Sequence, residues 1–204
     1  MPVLIDDPEY EAPELDPLYR AVSNDQLDEV KRLLSNGAVR RFKNSPAFRK
    51  VNPIGKVPAF EDGAAQLAES AAICAYIAER CPEAGLAPPA GDPLRGRYFH
   101  WLFFAPACIE PAFAQKFAKF DMPTTAAGWG DFDRVINTLE SVLSQGPWIL
   151  GERFSAADVM IGSDLMFGVE RFGIVERRPV FDAYLKRCHA RPALQRAIAI
   201  DEAG

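Results

Sequence analysis

Residues 52–60 read Asn-Pro-Ile-Gly-Lys-Val-Pro-Ala-Phe, and a Glu69-Ser70 pair follows just before an apolar, helix-forming run. A Val-Pro step that enters a short strand, followed by an acid and a hydroxyl at a helix start, suits a small peptide ligand. The backbone of Val57 can pair with the peptide as an added strand would. A cis bond before Pro58, which is rare, would turn the Val57 carbonyl outward. Ser70 can cap the helix, whose free N–H groups attract a carboxylate, and Glu69 can bind an ammonium group.

From about Ser45 to its C-terminus the chain resembles the soluble bacterial members of the glutathione S-transferase superfamily. The resemblance is carried by the Asn-Pro-x-Gly-Lys-Val-Pro segment, by Glu69-Ser70 with the apolar helix over 71–77, and by Gly-Glu-Arg-Phe-Ser-Ala-Ala-Asp at 151–158. It implies an α/β, thioredoxin-like N-terminal domain followed by an all-α helical domain. Residues 1–44, which would form the first strand–helix unit of that domain, depart from the family's sequence pattern. If the departure extends to the structure, this unit is built differently from its counterpart in the family.

The same resemblance implies a function. Glutathione would be held by five residues, Lys56, Val57, Pro58, Glu69 and Ser70, with Lys56 reaching the glycyl carboxylate and Asn52 and Gly55 shaping the turn. The bound thiol would attack a small apolar electrophile, held in a site that one face of the helix over 93–119 lines. The family also implies a homodimer, in which the first half of one subunit packs on the helical half of the other.

The catalytic group is the part of the family pattern that residues 1–44 lack. Where the family carries a tyrosine, serine or cysteine after the first strand, residues 6–17 contain six carboxylates, and negative charge disfavours a thiolate. Tyr10 is the first choice, ahead of Tyr19 and Ser23, because it alone precedes the predicted helix. Two functions follow: a glutathione transferase, or a non-catalytic module that keeps the peptide pocket but lacks the thiol-activating residue.

Proline and glycine mark a linker at 82–93, which predicts a glutathione-binding domain over 1–81 and a helical domain over 94–204. The predicted strands cover 3–5, 39–42, 57–60 and 66–68, with a turn at 61–63 and a short helix before the third strand. The predicted helices cover 17–35, a segment from Ser70, 93–119 with bends at Pro106 and Pro111, 131–145, 156–167, 179–187 and 192–200. Residues 18–38 also resemble the paired helices of an ankyrin repeat, which would break the first helix near Asn24.

Composition excludes several classes of function. The 204 residues are 49% hydrophobic, and the net charge of −5 argues against nucleic acid or an anionic membrane surface as a partner. No apolar run approaches the roughly 20 residues that span a bilayer, and the first residues lack the basic region of a signal peptide. Four scattered cysteines and only two histidines predict reduced thiols, no metal and a cytoplasmic protein.

The motif Ser155-x-x-Asp158 predicts a capping box with a structural role. Cys74 is expected to pack in the core, since free cysteine is among the most buried residue types. Cys108 is expected to do the same, although its helix would face the acceptor site. The aromatic run over 98–104 is expected to be mainly core, with some overlap with that site.

Overall fold

The structure, a computed structural model, describes residues 46–62 and 64–203. Outside these ranges lie the predicted strands 3–5 and 39–42, the predicted helix 17–35 and the catalytic candidate Tyr10. The described residues form two compact units, each described here by itself: residues 46–73 with 192–203, and residues 74–191.

The first unit is built from four consecutive elements and a separate C-terminal helix. The elements are α1 (Pro46–Val51), β1 (Ala59–Asp62), β2 (Ala65–Ala68), α2 (Ser70–Arg80), which runs on into the second unit, and the C-terminal α8 (Pro192–Ala203). The strands β1 and β2 pair antiparallel, with Ala59 opposite Ala68 and Asp62 opposite Ala65. The predicted order of short helix, strand, strand and helix is therefore confirmed.

Two strand boundaries differ from the prediction. The strand expected over 57–60 begins at Ala59, because Pro58 has no N–H to donate to a ladder. The predicted turn over 61–63 is wrong at Glu61 and Asp62, which lie in β1. The apolar side chains of Phe48, Phe60, Ala71 and Ile73 are buried in this unit.

The second unit is helical. Its further elements are α3 (Leu94–Phe104), a first π segment (Ala105–Ile109), α4 (Glu110–Ala118), α5 (Phe132–Leu143), α6 (Ala156–Leu165), a second π segment (Met166–Arg171) and α7 (Pro179–His189). The long helix predicted over 93–119 is interrupted as expected near Pro106, where the π segment absorbs the missing N–H. Pro111 causes no break: α4 continues directly from the π segment, with Ile109 and Glu110 both in right-handed helical conformation.

Helix starts in this unit follow the sequence signals. The Asp131 side chain accepts from the Arg134 N–H over 2.8 Å and caps α5. Ser155 and Asp158 form the predicted capping box of α6. Helix α6 ends at Leu165 rather than 167, since the chain continues as the second π segment.

The proline-rich stretch 82–93 packs within the helical unit. Its Leu86 carbonyl accepts from the Ala156 N–H over 2.8 Å, and its Pro88 carbonyl accepts from Arg95 Nη1 over 2.6 Å. The predicted division into a domain over 1–81 and a domain over 94–204 is a statement about which segments fold independently, and it stays a prediction.

The aromatic run of α3 is core only in part, although the sequence predicted it to be mainly core. Tyr98, Trp101 and Leu102 are buried, whereas Phe103 is 47% exposed. None of the helices in the described part of the chain has the length and apolar content needed to cross a membrane.

Candidate glutathione site

The register of the hairpin places the two predicted site segments side by side. Ala59 pairs with Ala68, so Pro58 and Glu69, the residues just outside this pair, lie at the same end of the two strands. Ser70 follows Glu69 as the first residue of α2. The structure therefore brings the Val57-Pro58 step to the N-terminus of the helix that begins at Ser70.

A buried amide holds the loop that carries the Val-Pro step. Asn52 is only 3% exposed, and its Nδ2 donates to the Lys56 carbonyl over 2.5 Å and to the Pro58 carbonyl over 3.3 Å. Its Oδ1 accepts from the Ile54 N–H over 3.2 Å. These bonds turn the carbonyls on either side of Val57 inward, and the turn-shaping role expected of Asn52 is present.

The Val57–Pro58 bond is cis, as expected from the sequence. Val57 is 52% exposed, and Lys56 and Pro58 are exposed beside it. Gly55 has a φ of +69° and donates its N–H to the Asn52 carbonyl over 2.9 Å. This conformation suits glycine, which bears no Cβ.

Glu69 has a conformation that its residue type rarely adopts. Its φ is +71°, in the left-handed region, and its carbonyl accepts from the Ile73 N–H over 3.0 Å. Glu69 thus occupies the capping position and Ser70 the first helical one, so the expected capping role of Ser70 is displaced by one residue. Left-handed backbone at a residue other than glycine costs about 1–3 kcal/mol and concentrates at ligand sites. No sequence signal predicts this left-handed backbone at Glu69.

The N-terminus of α2 places partial positive charge at this end of the hairpin. The first N–H groups of a helix point outward and carry partial positive charge. The exposed Glu69 carboxylate stands beside them, and the exposed Lys56 lies on the loop. The site therefore offers an anion position at the helix start, an acid for a cation, and exposed backbone at Val57.

The cysteines of the second unit have packing roles. Cys74 Sγ lies 3.9 Å from Met160 Sδ, and burial raises the pKa of the Cys74 thiol. Burial also raises the pKa of the half-buried Cys108 thiol in the first π segment. A raised pKa lowers the thiolate fraction, which is the reactive form. Within residues 46–62 and 64–203, no group of three or more His, Cys, Asp and Glu side chains could hold a metal.

Comparison with known protein families gives two matches along the chain. The family "Glutathione S-transferase, N-terminal domain" matches residues 38–79, and "Glutathione S-transferase, C-terminal domain" matches residues 122–187. The first covers the hairpin site and the second covers α5, α6 and most of α7.

Individual relatives agree with these matches. The glutathione S-transferase GstA of Escherichia coli O157:H7 is 26% identical over 168 residues, which cover 79% of this chain and 82% of the relative. The crystal structure of a glutathione transferase from Methylococcus capsulatus is 32% identical with a TM-score of 0.65, over 78% of this chain and 79% of that chain. A sphingomonad glutathione S-transferase complexed with glutathione is 30% identical with a TM-score of 0.67, over 82% and 84% of the two chains.

The fold is thus a thioredoxin-like N-terminal domain followed by an all-helical domain, which defines a class of two-domain proteins. The chain belongs to the glutathione S-transferase superfamily.

Proposed function

We propose that this protein binds glutathione at the end of the β1–β2 hairpin and conjugates it, through its thiol sulfur, to a small apolar electrophile. The observation that carries the proposal is the strand register, which sets the Val57-Pro58 step beside Glu69-Ser70 at a helix N-terminus. A relative that is 30% identical over most of both chains was solved with glutathione bound, which supports the same ligand here.

Each end of glutathione has a partner in this arrangement. The γ-glutamyl carboxylate binds Ser70 and the first N–H groups of α2, where the helix dipole favours an anion. Its ammonium group binds the exposed Glu69 carboxylate. The cysteinyl main chain pairs with the exposed Val57 backbone beside Pro58, and Lys56 reaches the glycyl carboxylate.

The proposed reaction forms one bond between the glutathione sulfur and an electrophilic carbon. The thiol releases its proton to solvent or a base. The bond between the electrophilic carbon and its leaving group breaks, and its electron pair departs with the leaving group. Binding both reactants supplies proximity, and a donor near the sulfur stabilises the thiolate. Tyr10 remains our candidate for that donor. Conjugation of this kind is a detoxification reaction.

A non-catalytic binding module is the second candidate. It is favoured by the six carboxylates of residues 6–17, which occupy the part of the chain where the family places its thiol-activating group. Elongation factor 1-gamma of Artemia salina is 28% identical over 165 residues, but this chain spans only 37% of that protein's length. Members of one fold differ in function, so the two candidates need an experiment.

We further infer a cytoplasmic homodimer that needs no metal. The four cysteines are free thiols in the structure, as a reducing compartment would keep them. Two-fold dimers are the commonest oligomers, and Phe103 on α3 leaves an aromatic group exposed for such a contact.

Two measurements on the same preparation test the function. Calorimetric titration with glutathione reports binding, and conjugation of glutathione to an aryl halide reports turnover. We expect both, with turnover lost in Tyr10→Phe and kept in the matched control Tyr19→Phe. Binding without turnover in the wild-type protein would favour the module, and no binding would overturn the proposed site.

A further inference from the structure

Two buried side-chain oxygens have no hydrogen-bond partner within the described residues: Tyr98 Oη and Asp164 Oδ2. The second is the more consequential, because a carboxyl group can ionise. Asp164 is the second-last residue of α6, directly before the second π segment. No part of the proposed glutathione site involves it.

The surroundings of Asp164 contain a second acid. Helix α6 packs against the first π segment, and Glu110 follows that segment as the first residue of α4. The charge of Glu110 acts on Asp164. Each acid therefore lies beside a junction of α and π geometry: α6 passes into the second π segment just after Asp164, and the first π segment passes into α4 at Glu110.

Cations nearby do not offset this pair. Arg95 of α3 is paired with Glu79, and His189 of α7 is paired with Glu170. The remaining ionisable side chains on the elements packed against α6 are Arg97, Tyr98, His100, Cys108, Arg171, Asp182, Tyr184, Lys186, Arg187 and Cys188. Burial and Glu110 together raise the pKa of Asp164 to about 7.

We propose that Asp164 is a proton-controlled packing element of the helical unit. With its proton, the neutral carboxyl group is accommodated on α6, which packs against the first π segment. Without its proton, the group carries a charge whose buried oxygen has no partner within the described residues, and α6 packs less tightly against that segment. An ionised carboxylate without a partner is costly to bury, and a neighbouring like charge adds to the cost.

The sign of the pH dependence follows from proton linkage. The pKa of Asp164 rises from 3.8 to about 7 on folding, so the folded protein holds a proton that the unfolded chain loses above about pH 4. This residue therefore lowers the stability of the folded state progressively as the pH rises from about 4 to 7. Above that range the penalty is constant.

Thermal unfolding of the full chain at pH 5, 6, 7 and 8 tests the proposal. Asp164→Asn keeps the shape of the side chain and is neutral throughout. We expect the Tm difference between this variant and the wild-type protein to grow in favour of the variant by at least about 3 °C between pH 5 and pH 8. The exposed loop acid Asp121, changed to Asn, is the matched control and should follow the wild-type profile.

Hydrogen exchange gives a local readout. After correction for intrinsic rates, peptides that cover residues 105–110 and 166–171 should exchange faster at pH 8 than at pH 6 in the wild-type protein, but not in Asp164→Asn. Glu110→Gln removes the neighbouring charge and should move the transition to lower pH.

Parallel Tm profiles for the wild-type protein and Asp164→Asn would overturn the proposal. If that variant does not fold, carboxyl-labelled aspartate in the wild-type protein can be titrated by NMR. One carboxyl group should then titrate near neutral pH, and at lower pH in Glu110→Gln. Titration of every aspartate below about pH 5 would equally overturn it.

Discussion

The Tyr184 hydroxyl donates to Asp158 Oδ1 over 3.0 Å and so ties α7 to the capping box of α6. The same Oδ1 accepts from the Ile149 N–H over 2.8 Å. Asp158 Oδ2 accepts from the Ser155 N–H over 2.9 Å and from Ser155 Oγ over 3.2 Å. With Asp158 only 1% exposed, one carboxyl group satisfies four donors from three parts of the helical unit.

Loss of this carboxyl group should therefore cost more than a helix cap. The capping box alone predicts about 1 kcal/mol for Asp158→Ala. Because the buried donors of Ile149, Ser155 and Tyr184 would lose their acceptor, we expect about 3 kcal/mol, and about 1 kcal/mol for Tyr184→Phe. Urea unfolding measures both, and glutathione affinity per folded molecule should be unchanged. Loss of binding at full stability would contradict the structural role.

Glu69→Gln and Ser70→Ala should each weaken glutathione binding by about 1–3 kcal/mol without loss of the fold, since each leaves a ligand charge unpaired. The glutamine change removes the charge but keeps the length of the side chain at the left-handed position. Calorimetry measures the affinity, and the exposed Glu176→Gln and Ser141→Ala serve as controls. Unchanged affinity in both site variants would exclude this pocket.

Gly168 and Gly96 form a matched pair for a stability test. A Cβ at Gly168 would lie 2.7 Å from Phe113 Cζ and 2.8 Å from Val175 Cγ2, whereas a Cβ at Gly96 meets nothing within 4 Å. We expect Gly168→Ala to destabilise by about 1–3 kcal/mol and Gly96→Ala to stabilise α3 by up to about 1 kcal/mol. Denaturant unfolding measures both changes in the free energy of unfolding. Equal changes in the two variants would refute the close contact of Phe113 and Val175 with Gly168.

Light scattering at micromolar concentration should give twice the chain mass of 22.5 kDa. Phe103→Glu places a charge on the exposed aromatic group of α3 and should shift the mass toward the monomer. Phe117→Glu, at an exposed position on α4, should not. A wild-type mass equal to one chain would rule out the dimer.

The sequence predicts most of the described fold because its signals are local. Proline, glycine and capping residues mark helix ends, and apolar spacing marks the buried face of α5. The second π segment was missed, since nothing near Met166 carries a proline like Pro106. The acceptor role of Asp158 toward Tyr184 was missed for a different reason, because 26 positions separate them and only packing joins them.

The sequence predicts some features of the candidate site but not others. Val57-Pro58 and Glu69-Ser70 were recognised by motif. The hairpin register explains why these two segments, separated along the chain, lie close together in the structure. The left-handed backbone of Glu69 could not be foreseen, because it depends on how β2 is joined to α2. The catalytic candidate Tyr10 lies outside the described residues and stays a prediction.

The buried amide of Asn52 has a consequence for how this loop can evolve. It fixes the backbone from beneath, while the side chains of Ile54, Lys56 and Val57 face outward and are exposed. Substitutions at those three positions can therefore accumulate without altering the path of the chain. A substitution at Asn52 would alter that path whichever side chains the loop displays. Different residues therefore determine the backbone conformation of this loop and the chemistry of its surface, and the two can evolve separately.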